Sequence, residues 1–172
     1  MIMVLQAHPQ ERRPGEYGVK AAFLYNFAKF VDWPLDAFKD DQSPIYLAVL
    51  GDDPFGSALN SLRDKTVKGR PLVIKRCKSI EQVAGSHLLF ISPSEKGNLR
   101  SILDALKGSS ILTVSETERF GQQGGMINFF TVDNKIQFEI NPDAAQRGKL
   151  KISSQLLKLA RIVATESPKE KE

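Results

Sequence analysis

From residue 45 the chain alternates short unbroken apolar runs with polar turns and amphipathic stretches. Ile45–Leu50 is continuous and of strand length, and Leu72-Val73-Ile74, 87–92 and 111–114 repeat the pattern. Runs without a polar side fit strands buried on both faces. Between the first two, Gly51-Asp52-Asp53-Pro54 supplies a turn, a carboxylate cap and a proline at the first helical position. Phe55, Ala58, Leu59 and Leu62 follow at helical spacing. Residues 79–84 read as a short helix. Pro93-Ser94-Glu95 opens another through Leu99, Ile102, Leu103 and Leu106, closed by Gly108. Near the C-terminus, Ile136, Phe138 and Ile140 alternate with Lys135, Gln137 and Glu139. Asp133-Asn134 separates this half-buried strand from the apolar run 126–132, so the two form a β-hairpin. The rhythm predicts a three-layer α/β fold: a mainly parallel sheet of five to six strands, a C-terminal antiparallel hairpin at its edge, and flanking helices.

Two further helical patterns bracket this core. Over 16–31, Phe23, Phe27 and Phe30 fall at i, i+4 and i+7 beside a parallel stripe of Leu24, Ala28 and Val31. An arc this wide predicts a helix buried on much of its circumference, ended by Trp33-Pro34. Asn141-Pro142 starts a second helical region. Gly148 interrupts it, and 152–163 resumes with Leu156, Leu159, Ala160 and Val163 on one face. The chain thus divides into a flexible N-terminus (1–15), one domain (16–165) and a charged tail (166–172) expected to be disordered.

Composition narrows the function classes. A chain of 172 residues with 41% hydrophobic content can fill one core. Twenty-four basic against 20 acidic residues leave a mild +4. The densest positive group, Lys65, Lys68, Arg70, Lys75, Arg76 and Lys78, surrounds the strand candidate 71–77. It reads as a solvated face rather than a nucleic-acid surface. The single cysteine, Cys77, excludes an intramolecular disulfide and a cysteine-based zinc cluster. His8 and His87 are too few for a histidine metal site. No apolar run approaches the roughly 18–20 residues of a membrane span, so direct membrane insertion is not expected. Residues 1–7 end in Leu5-Gln6-Ala7, which suits a signal-peptidase site, but a charged n-region and a full apolar core are missing. The tail of a secretory signal and an ordinary N-terminus both fit.

No catalytic constellation is complete on this scaffold. Asp52-Asp53 mimics the acidic pair of a phospho-receiver domain. The third strand, however, ends in Ile91-Ser92-Pro93 with no carboxylate to accept a phosphoryl group, and the segment 124–130 offers no lysine. No phosphate-binding glycine loop, dinucleotide fingerprint or nucleophile elbow is present. His87, at the start of a strand, is expected to be satisfied by the backbone. Cys77 has basic neighbours in Arg76 and Lys78, but adjacent strand residues point to opposite faces. No catalytic residue, metal site or cofactor is expected.

The 20–34 helix, Gly51-Asp52-Asp53-Pro54-Phe55-Gly56, 87–92, 111–115, Gly124-Gly125-Met126-Ile127-Asn128-Phe129 and Lys151-Ile152-Ser153-Ser154 resemble, in order, the YfiR (HmsC-like) family. The likeness spans roughly 18–163. It implies a periplasmic, non-catalytic regulator whose partner is the periplasmic domain of a membrane-bound diguanylate cyclase, and it favours export for the N-terminus. A homodimer stays open. With Cys77 alone, the chain departs from disulfide-bearing relatives. The alternative is a sensor domain in which a small-molecule pocket is primary.

The expected contact region lies at the carboxyl ends of the first and third strands, where an open α/β sheet usually binds its partners. Asp52, Asp53 and Phe55 follow the first strand there, and Ser92 and Ser94 follow the third. Ser115, Glu116, Arg119 and Phe120 lie on the loop leaving the fourth strand, Arg119-Phe120 pairing a charged with an aromatic anchor. The alternative roles are structural: Asp52 or Asp53 as a cap, Phe55 as core, Ser92-Pro93 as a helix start.

Overall fold

The computed structural model describes residues 15–167. The expected signal remnant and all of the charged tail beyond Ser167 lie outside the described residues. Helix α1 (Glu16–Phe30) starts after Gly15, whose positive φ of 104° turns the chain into it. Glu16 in its first turn and Lys29 in its last complement the helix dipole. The wide apolar arc is buried as its two stripes require: Ala21, Leu24, Phe27 and Ala28 are all covered. Phe23 and Phe30 are half-buried, Phe23 packing on Phe129 and Phe138. The helix ends before Trp33 because β1 (Val31–Asp32) pairs antiparallel with a strand near the C-terminus.

Next come β2 (Ile45–Leu50), β3 (Thr66–Val67), β4 (Arg70–Cys77) and β5 (Leu88–Ile91). After α2 (Leu99–Ala105) follow β6 (Leu112–Ser115), β7 (Ile127–Val132) and β8 (Lys135–Ile140). The chain closes with α3 (Pro142–Arg147), β9 (Lys151–Ile152), α4 (Ser154–Leu159) and β10 (Arg161–Ile162). β9 is the partner of β1. The main sheet has eight strands in the order β10-β8-β7-β6-β5-β2-β4-β3. β2 and β5 run parallel in one sheet, Leu47 opposite Leu88. β7 and β8 form the expected antiparallel hairpin, and Asp133 and Asn134 adopt the positive φ that a two-residue turn requires.

The structure corrects the expectation of five to six strands, and the three layers are unequal. Two-residue strands extend the sheet at each edge: β3 folds back on β4, and β10 pairs with β8. One face carries the large core, where α1 and the 3₁₀ turn Gly56–Leu62 lie on β2, β5, β6, β7 and β8. The other face is covered by short pieces, the 3₁₀ turns Ile80–Val83 and Pro93–Asn98 and the two-turn α2. The helices expected at 55–62 and 79–84 are therefore 3₁₀ turns. The helix expected over 152–163 is only α4, ending where Ala160 turns extended so that Arg161 and Ile162 can complete the edge of β8.

That pairing changes the polar side of the hairpin. Lys135 and Gln137 are exposed, as alternation predicts, but Glu139 is buried and receives the Arg161 guanidinium at 2.6 Å. Among the described residues no helix is long and apolar enough to cross a membrane.

Candidate functional site

Seven of the nine expected residues share one edge. β2 ends at Leu50, and Gly51 (φ 93°) turns the chain tightly over β5. A Cβ there would meet Ser94 Oγ at 2.6 Å, so only glycine fits. The Asp52 backbone N–H donates to Ser94 Oγ at 2.9 Å. Ser94 Oγ bonds Ser92 Oγ at 3.2 Å, and Ser92 Oγ also accepts the Ser94 N–H. Asp53 accepts the Phe55 N–H with one oxygen (2.8 Å) and the Arg76 guanidinium with the other (2.7 Å). The Phe55 ring is buried edge-on against Phe90 and Tyr17. Ser115, fully buried, donates to the Ile91 carbonyl at 2.7 Å and so ties the ends of β5 and β6.

Glu116 is the junction between this edge and α1. One oxygen accepts the Tyr17 hydroxyl at 2.8 Å, the other the Lys20 ammonium. Lys20 is only 4% exposed and is shared with Glu16 at 2.7 Å. A buried ammonium between two carboxylates keeps a counter-charge if one is lost, whereas loss of Lys20 itself would leave the Glu16 and Glu116 carboxylates without their shared cation. Lys20 and Tyr17 were missed in the sequence. The signal was there for Lys20, which stands four and seven residues before Leu24 and Phe27 on the buried stripe.

Arg119 and Phe120 do not join the group. Phe120 is fully buried on the second face of the sheet, its ring occupying the space where Gly125 lacks a side chain. It has no surface to give a partner, so its role as an aromatic anchor is withdrawn. Arg119 is exposed, with φ at 63°, and its guanidinium pairs with Glu166. Phe55, Ser92 and Ser115 are likewise buried and support the edge from beneath. Asp52 and Ser94 are exposed, while Asp53 and Glu116 are half-covered.

Arg119 instead borders a groove of about 1130 Å³ between α2, the 119–124 turn and the end of α3. Its apolar bed includes Leu103, Ile111 and Met126; Arg100, Arg119 and Arg147 stand exposed around it. Thr165 and Glu166 of the C-terminal segment form one wall. Neither Arg100 nor Arg147 stood out in the sequence, since single arginines near helix ends look like ordinary solvated residues.

Two groups with reactive potential have structural work. His87 is buried, stacked on Phe38 at 4.5 Å between ring centroids. Its Nδ1 accepts the Tyr46 N–H at 3.0 Å and its Nε2 donates to the Ala37 carbonyl at 2.9 Å. The imidazole is neutral in this arrangement, and burial pulls its pKa below the ordinary value. Burial raises the Cys77 thiol, outweighing the opposing pull of Lys75, so it is a poor nucleophile in place. No group of three metal-ligating side chains occurs among the described residues. The carboxyl edge is built to hold a shape and present charge.

Comparison with known proteins agrees with this scaffold. The family model described as YfiR/HmsC-like matches residues 17–161, nearly all of the described fold. No curated protein matches the chain.

Proposed function

The chain belongs to the YfiR/HmsC-like family, and from that premise we propose a non-catalytic periplasmic regulator. In this reading it binds and inhibits an inner-membrane diguanylate cyclase, lowering cyclic-di-GMP and biofilm formation. The observation that carries the proposal is the family match across 17–161, which supports a periplasmic regulatory role in general. The chemistry of the carboxyl edge is consistent with it. Ser92, Ser94 and Ser115 spend their hydroxyls on one another, on backbone groups and on Thr117, and among the described residues none is bonded to a histidine or lysine that would activate it.

The periplasmic domain of the cyclase docks on that edge. Asp52 and Ser94 touch it directly; Asp53, Phe55, Ser92, Ser115 and Glu116 hold their positions. An exposed carboxylate on a rigid edge favours a basic partner surface and sets encounter rate and register more than affinity. Capture of the cyclase from membranes by the tagged protein tests this. Asp52→Arg should reduce capture and relieve restraint of cyclic-di-GMP synthesis while the melting temperature stays within a few degrees. Full capture by that variant moves the interface off this edge. Unchanged cyclic-di-GMP after gene deletion, in a strain with an intact cyclase, removes the regulator reading itself.

A further inference from the structure

The groove beside α2 has a composition that a mere packing defect lacks. Its volume of about 1130 Å³ is slightly above the ~300–1,000 Å³ usual for small-molecule clefts. Its bed is apolar and buried at Ile111 (8% exposed) and Met126 (7%). The approach of Met126 is permitted by Gly148, where a Cβ would stand 3.0 Å from the Met126 methyl. Around this bed stand three arginines. Arg100 and Arg147 have no hydrogen-bond or ion-pair partner among the described residues, so two guanidinium forks are available.

The third arginine shows what such a fork accepts here. Arg119 holds the carboxylate of Glu166, a residue carried in by the C-terminal segment. That segment is laid along the groove by backbone and side-chain bonds: Val163 N–H to the Ile140 carbonyl, Asn141 Nδ2 to Thr165 Oγ1, and Glu166 N–H to the Gln122 carbonyl, each 2.9 Å. A carboxylate from the protein's own chain therefore sits at the rim of an apolar bed, with two further arginines free. Planar forks recognise carboxylates in two-point fashion, and the apolar bed adds burial energy that a bare anion would forgo.

We propose that this groove binds a small amphiphilic carboxylate, its apolar body on Leu103, Ile111 and Met126 and its acidic group on Arg100 or Arg147, in competition with Glu166 at Arg119. The proposal is independent of the cyclase reading, because among the residues expected at the carboxyl edge only Arg119 lines this groove, and it is tested on the purified protein alone.

Calorimetric titration with decanoate, with decanol and acetate as controls, tests it. Decanoate should bind at one site, decanol at least about tenfold more weakly, and acetate not measurably. Arg100→Gln with Arg147→Gln should weaken decanoate about tenfold or more with an unchanged melting temperature. Glu166→Gln should strengthen it severalfold by freeing Arg119. Leu103→Glu provides a second variant that blocks the bed from the side of α2, and it should abolish binding. No decanoate binding at millimolar concentration overturns the proposal. So does equal affinity in the double arginine variant, or tighter binding of an acidic peptide than of decanoate, which would make the groove a protein-segment site.

Discussion

Phe27 has no exposed surface, and its ring lies 5.0 Å from that of Phe138 and 5.7 Å from that of Phe129. Alanine there leaves a cavity that neighbouring rings cannot fill. The expected cost is about 3–5 kcal/mol, read as a lower urea midpoint at unchanged slope. Phe120→Ala belongs to the same class, whereas Arg119→Ala, on an exposed side chain, should stay within about 0.5 kcal/mol. Replacing both would thus report core damage and say little about an interface. His87 makes a pH prediction. Its folded pKa is below the ordinary 6.5, burial being the main cause and Arg70 and Lys75 adding to it against the opposing pull of the Ala37 bond. Between the folded value and 6.5 the unfolded chain holds more protons, so its contribution is intact above about 6.5 and is lost as pH falls through that window. Urea titrations across pH should show this limb, and His87→Gln should flatten it. A limb that persists in the variant belongs to the carboxylates.

The strands whose pattern is self-contained were readable from the chain. Ile45–Leu50 is β2 to the residue, and the alternation after Asp133-Asn134 sets the register of β7 and β8. What local pattern cannot carry is a partner far away in sequence. Arg161 and Ile162 look like the end of an amphipathic helix, yet β8 takes them as an edge strand, and Leu159 is left 74% exposed as a result. The distinction between α-helix and 3₁₀ turn at 56–62 was also out of reach. Apolar spacing is similar for both. An element-scale test follows. Removing residues 161–172 exposes the backbone of β8 at Glu139 and Ile140 and leaves the buried Glu139 carboxylate without its guanidinium. The truncated protein should melt lower and associate on size-exclusion chromatography. A monomer with unchanged melting would mean that β10 contributes nothing to the sheet edge.

At the scale of the molecule, chain topology alone brought Asp52, Asp53, Phe55, Ser92, Ser94, Ser115 and Glu116 to one edge. Parallel neighbours must end on the same side, so the carboxyl ends of β2, β5 and β6 were legible before any coordinate. Which of those side chains face outward was not, because Phe55 and Ser115 are drawn inward by contacts to Phe90 and Ile91. The groove was illegible altogether: its arginines come from α2, the 119–124 turn and α3, which no single stretch of sequence unites. In the proposed function, this edge restrains a cyclase without chemistry of its own. The direct measurement is cyclic-di-GMP formation from GTP by a full-length membrane diguanylate cyclase in nanodiscs, titrated with this protein. Synthesis should fall to a floor at stoichiometric protein and recover with Asp52→Arg; an undiminished rate at saturating intact protein would overturn the proposed restraint.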